Sequence, residues 1–228
     1  MIRTFKVLSL LLSYPTAELQ GEAPALRAAL AGEGLLPERR HPGLYRLLDQ
    51  MAVHDLYDLQ ERYVLLFDRT RSLSLHLFEH VHGESRDRGQ AMVDLQALYA
   101  GHGLEVAASE LPDFLPLFLE FLALRPLAEA RALLAQPLHV LAALRERLER
   151  RGSDYAAVLA GLEALAEGSL SAERLAEARA APDDDPADLA ALDRSWEEAA
   201  VTFGPAPGND GGCAKTARML RRMAAGAS

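Results

Sequence analysis

The densest run of side chains able to do chemistry is His76-Leu77-Phe78-Glu79-His80-Val81-His82-Gly83-Glu84-Ser85-Arg86-Asp87-Arg88. It contains H-x-x-E-H, the inverted zinc-hydrolase pattern. On a helix, His76 and His80 lie one turn apart on one face and can share a metal ion, with Glu79 beside them as general base. A working site also needs a third ligand from another element. Glu120 and Glu129 are of suitable type, and nothing around them marks either. The alternative is a polar helix end whose imidazoles hydrogen-bond to Glu79, Glu84 and Asp87. Arg69, Arg71, Arg86 and Arg88 suit the neighbourhood to gripping a polar partner better than to holding zinc. The other familiar templates are missing from the sequence: it has no Walker loop, no dinucleotide glycine fingerprint and no G-x-S-x-G elbow. Cys213, the single thiol, stands between Gly212 and Ala214 and reads as an unremarkable free cysteine.

The elements that must position these residues follow from composition. Of 228 residues, half are hydrophobic and a quarter charged, which excludes disorder as the main state. There are 43 Leu and 40 Ala against 9 Val and one Ile. Ala and Leu lead the helix scale and β-branched residues build strands, so the chain reads as all-α. A net charge of −9 argues against a general nucleic-acid binder. One cysteine fits a reducing compartment. Arg3 and Lys6 precede an apolar run of signal-peptide length, yet Tyr14-Pro15-Thr16-Ala17-Glu18 offers no small-x-small cleavage site. No segment has the apolar length of a membrane span. The expected location is the cytoplasm.

Punctuation by Gly, Pro and polar clusters predicts about ten helices in antiparallel, bundle-like packing. A first core helix carries Ile2, Phe5, Leu8, Leu11 and Leu12 and stops before Pro15. A short one spans 24–32 with Pro24 in its first turn. A long one runs over 43–67, with a stripe from Leu44 through Met51, Leu59 and Tyr63 to Phe67. Next come a segment at 73–81 and a helix from about 85 to 101. The most apolar stretch is 111–124, polar only at Asp113 and Glu120, where Pro116 demands a first-turn place or a kink. Helices at 126–135, 138–150 and 154–166 follow. After the acidic joint 182–186, a last core helix carries Leu189, Leu192 and Trp196. One helical domain over 1–203 is therefore expected, followed by a flexible Gly/Pro linker and short basic tail over 204–228. That tail, with Lys215, Arg218, Arg221 and Arg222, reads as a solvated terminus or as an amphipathic anchor for a membrane surface or acidic partner.

The stretch Glu61-Arg62-Tyr63-Val64-Leu65-Leu66-Phe67-Asp68 precedes Arg71-Ser72-Leu73-Ser74-Leu75 and the histidine block. It resembles the signature E-x-Y-x-x-L-F of the redox-enzyme maturation proteins, cytoplasmic chaperones dedicated to molybdenum enzymes. Glu61, Tyr63, Leu66 and Phe67 match it. The continuation H-x-F-E-H-V-H-G, and the later Leu192-Asp193 and Trp196-Glu197-Glu198 with Val201-Thr202-Phe203-Gly204, are similar to the nitrate reductase branch. The resemblance covers the chain to Gly204 and is strongest over 61–89. The E-P-x-D-H hinge motif of the trimethylamine-oxide and dimethyl-sulfoxide branches has only Glu110-Leu111-Pro112-Asp113-Phe114 as its counterpart here. A nucleotide or hinge role does not carry over.

The resemblance implies a helical chaperone for nitrate assimilation that catalyses nothing and carries no cofactor of its own. It would bind the N-terminal segment of the nitrate reductase catalytic (alpha) subunit, a vestige of a twin-arginine leader, as a monomer or weak dimer. It would hold that apo-subunit open for insertion of the molybdenum cofactor and an iron–sulfur cluster before membrane docking. A basic, part-apolar segment calls for an aromatic and leucine wall with acidic edges. Tyr63, Leu66 and Phe67 are candidates for the wall, or else simply core. Glu61, Asp68 and Glu79 would supply charge, with Arg71, His76, His80 and His82 completing the candidate surface. The three histidines titrate near neutrality and would be able to gate release.

Overall fold

A computed structural model of the protein describes residues 1–82, 86–106, 110–180 and Asp183. Among these it contains eleven α-helices and no strand, only an isolated antiparallel bridge between His76 and Phe114. The all-α expectation holds. The compact unit Met1–Ala187 contains every described residue. The expected last core helix, the boundary at 203, Cys213 and the basic tail lie outside the described residues.

Helix α1 (Arg3–Leu11) runs antiparallel to α7 (Leu115–Ala123). The Ile2 amide donates to the Ala123 carbonyl, Lys6 pairs with Glu120, and Ser9 Oγ donates to the Pro116 carbonyl at 2.8 Å. Phe5, Leu8, Leu11 and Leu12 are wholly buried between them and their neighbours, with Thr4 and Ser9 buried too. The start of α1 is capped from a distance: Glu33 accepts from the amides of Arg3 at 3.0 Å and Thr4. Burial works to raise the Glu33 pKa, but its interactions with Thr4 and Arg3 outweigh it and the net shift is downward. Pro116 takes the first turn of α7, where no hydrogen bond is lost.

Two boundaries differ from expectation because side-chain caps, not Gly or Pro, set them. Helix α2 (Ala17–Glu33) begins seven residues before Pro24, at a cap in which Thr16 Oγ1 accepts from the Leu19 amide. Pro24 is interior but sits on the exposed face, where water can satisfy the carbonyl it leaves free. Gly34 closes the helix at φ 72°, which favours glycine. The expected long helix at 43–67 is broken into α3 (Pro42–Val53) and α4 (Leu56–Tyr63). His54 is extended there, and the Asp55 carboxylate accepts from the Tyr57 amide at 2.8 Å.

The remaining elements are α5 (Leu77–His82), α6 (Arg86–Gly101), α8 (Leu127–Leu134), α9 (Leu138–Arg150), α10 (Ala156–Leu165) and α11 (Ala172–Ala180). Helices α9 and α10 form an antiparallel pair, bridged where Arg145 binds both Glu149 and Glu163. Close approach is permitted at Gly43, where a Cβ would stand 3.0 Å from that of Ala157; its absence lets α3 lie against α10. Helix α11, opened by Ser171, adds to the predicted set. Arg147 of α9 is only 2 % exposed, on the same face as Leu144 and Leu148. It donates to the carbonyls of Ser72 and Ala178 at 3.0 and 2.8 Å, tying α11 and the 71–74 segment to one guanidinium.

Candidate functional site

The signature residues fall on α4 and a π-helical turn, Val64–Asp68, closed by the Arg69 amide bonding to the Val64 carbonyl. Such wide turns recur at functional positions in helices. Tyr63, Leu66 and Phe67 all point inward, at 4, 9 and 7 % exposure, as their i, i+3, i+4 spacing expects of a helix, while Val64 and Leu65 remain half-buried. Thr70 Oγ1 donates to the Leu65 carbonyl, fixing the end of the turn. Tyr63 donates its hydroxyl to the Leu12 carbonyl at 3.0 Å, and burial pushes its pKa up. Its ring lies 5.6 Å from Tyr14 and 5.0 Å from Phe67, which meets Tyr155 edge-on at 5.0 Å. The aromatic residues of the signature thus form a chain through the core. Its acids take the opposite course, with Glu61, Asp68 and the following Arg71 all exposed.

The histidine block is arranged differently from the helix that the H-x-x-E-H spacing suggests. His76 precedes α5 and lies in the bridge to Phe114, so it does not share a helical face with His80. Its Nδ1 is 3.2 Å from Oδ1 of Asp113, whose other oxygen accepts from the Phe78 amide at 3.1 Å. Asp113 is fully buried and, through its own carbonyl, also takes the Leu77 amide. His80 points Nε2 at the Ser74 carbonyl, 2.8 Å away. Neither imidazole bonds to Glu79, which pairs instead with Arg88 at 3.1 Å. The hydrogen bond to Asp113 raises the His76 pKa despite partial burial, whereas burial lowers that of His80. The proposed third ligands are elsewhere: Glu120 is held by Lys6, and Glu129 lies beside His102. Among the described residues no group of three or more His, Cys, Asp or Glu side chains is placed to hold a metal ion. The hydrolase reading of His76, Glu79 and His80 therefore loses its geometric premise. The His82 side chain is outside the described residues.

Sequence reasoning missed Asp113 and Arg147, the two buried polar groups that organise residues 72–80. Each carried a signal. Arg147 interrupts an apolar stripe at the spacing of Leu144 and Leu148, and Asp113 is one of two polar residues in the most apolar stretch. Ser72 adds a further link, donating to Asp183, which also binds Arg150 and Arg151 at 2.7 and 2.8 Å.

The fold and the site describe a helical protein whose signature motif supplies both core and an acidic surface. Comparison with known proteins gives this class its family. Residues 18–161 match the family described as nitrate reductase delta subunit, and the chain belongs to it. It is 45 % identical over 199 residues to the nitrate reductase molybdenum cofactor assembly chaperone NarJ of Escherichia coli (strain K12), covering 86 % of this chain and 83 % of that protein. A protein of Bacillus subtilis (strain 168) named a probable nitrate reductase molybdenum cofactor assembly chaperone NarJ is 34 % identical over 156 residues, covering 68 % of this chain and 84 % of the relative. No helix among the described residues is long and apolar enough to cross a membrane.

Proposed function

We propose that this protein is a molybdenum cofactor assembly chaperone for a respiratory nitrate reductase, acting in the cytoplasm by binding rather than by catalysis. The observation that carries the reading is membership of the nitrate reductase delta subunit family, joined to 45 % identity with an assembly chaperone across most of both chains. The client is the catalytic subunit, engaged through its basic, part-apolar N-terminal segment and held open until molybdenum cofactor and iron–sulfur cluster are in place. The charge of −9 steers such a segment inward. The exposed acids Glu61 and Asp68 contact it, and Tyr63, Leu66 and Phe67 fix the turn that presents them.

Calorimetric titration with the N-terminal peptide of the host's nitrate reductase catalytic subunit tests this directly. The expected result is one-to-one binding at micromolar affinity or tighter, about −8 kcal/mol, unchanged by chelator. Absence of binding, or binding abolished by chelator, overturns it.

A further inference from the structure

The face built from the start of α2 and the α3–α4 junction combines exposed apolar side chains with charge of one sign. Tyr57 is 80 % exposed, Val53 78 % and Tyr14 45 %. Single exposed apolar residues are ordinary on any surface. These three belong to segments that the structure ties together. Gln20 donates to the carbonyls of Met51 and His54 at 3.0 and 2.7 Å, and Gln60 donates to the Pro15 carbonyl at 2.8 Å. The Asp55 cap on the Tyr57 amide fixes the junction itself.

The same segments carry Glu18, Glu22, Asp55, Asp58 and Glu61, all exposed. From Ala17 to Leu26 and from Leu47 to Glu61 the chain contains no Lys or Arg. The flanking cations are engaged elsewhere, Arg27 with Glu38 and Asp49, Arg46 with Asp154 and Arg62 with Gln50. An apolar anchor region whose own segments carry acids and no Lys or Arg complements a basic amphipathic segment: its apolar side chains cover Tyr57 and Val53 while its Lys and Arg meet the carboxylates. The glutamine clamps hold the face in place beforehand, so little ordering cost attends binding.

We propose that this face, centred on Tyr57, is the seat of the basic, part-apolar segment of the client. The inference rests on the chaperone reading above and locates its contact one to two helical turns before the signature's buried aromatics. Asp58 and Glu61 lie three residues apart on α4 and Tyr57 four before Glu61, so one side of that helix presents the anchor and both charges.

The test is calorimetric titration of the full chain with the N-terminal peptide of the catalytic subunit, comparing wild type with Tyr57→Ala and with Asp58→Lys/Glu61→Lys. The substituted side chains are exposed, and thermal melts check that each variant folds. The expected result is affinity reduced about tenfold or more in each variant, with wild-type affinity falling as salt is raised and the charge-reversed variant losing that dependence. Wild-type binding that persists unchanged in both variants overturns this placement and leaves the chaperone reading standing. A wild type that binds no peptide overturns the chaperone reading instead. Self-association of wild type that Tyr57→Ala abolishes, with peptide affinity unchanged, assigns the face to a second copy and also overturns the proposal.

Discussion

Residues 61–68 and residues 72–80 are neighbours in the chain, and each looks like a functional site in the sequence. The first is built from apolar contact: Tyr63, Leu66 and Phe67 pack with Tyr155 and Leu12 while the acids turn outward. The second is built from buried polar groups: Asp113 gathers His76, Leu77 and Phe78, and Arg147 gathers Ser72 and Ala178. In the first, the acids Glu61 and Asp68 lie exposed where a partner can meet them, while Arg62 is turned to Gln50 and the Tyr155 ring. In the second, they are consumed in holding the chain's own backbone. Chemically able side chains clustered in sequence therefore mark two opposite things here, an outward surface and an inward scaffold.

The largest effects separate the two plans by mechanism. Phe67→Ala removes a buried aromatic ring and should cost about 3 to 5 kcal/mol. Because no titratable group is lost, its cost in urea unfolding should be nearly the same in mild acid and mild alkali. Asp113→Ala leaves the Phe78 amide without its acceptor and the His76 ring without its partner. Its cost should be similar, about 3 kcal/mol, but dependent on pH. Equal pH dependence in the two variants would break the distinction drawn above.

The next effect concerns the two imidazoles, whose shifts run in opposite directions. The His76 pKa is raised by Asp113, with Glu79 helping and burial and Arg88 opposing. Its contribution is therefore full below the unfolded value of about 6.5 and is lost as pH rises through the higher folded value. His80 is lowered by burial, with Arg147 acting the same way and the Ser74 carbonyl, Glu79 and Asp113 opposing. As pH falls below about 6.5 the unfolded chain takes up its proton first, so His80 lowers stability on acidification. Accordingly His76→Gln, expected to cost about 1 kcal/mol, should cost more in mild acid than at pH about 8. His80→Gln should show the reverse trend. Chemical denaturation of both variants at the two pH values checks this, and parallel trends would refute the assignment of partners.

How much of this was legible beforehand depended on which physical term fixed each feature. The Ala and Leu excess settled the all-α class, since it biases every local segment the same way. Core positions Phe5, Leu8, Leu44 and Leu59 followed from helical spacing. Boundaries at Thr16 and Asp55 were missed because a single capping hydrogen bond leaves a weaker trace than a glycine or proline. The inward faces of Tyr63, Leu66 and Phe67 followed from helical spacing too, but the π turn itself depends on tertiary packing that periodicity does not encode. The exposed Tyr57 went unread for the same reason, because an α-helical stripe identifies what is buried and says little about what an open face is for. The burial of Asp113 and Arg147 depends on carbonyls and amides distant in the chain, which local pattern cannot supply.

The smallest change bears most directly on the signature. Tyr63→Phe removes one hydroxyl from the core and leaves the ring stack with Tyr14 and Phe67 in place. The Leu12 carbonyl loses that donor, at a cost of about 1 kcal/mol in urea unfolding. Because the side chain is buried and its hydroxyl faces α1's end, affinity for the catalytic-subunit peptide should stay at the wild-type value. A variant with wild-type stability and weakened peptide binding would instead make Tyr63 a contact residue, and the aromatic chain would have to open when the client arrives.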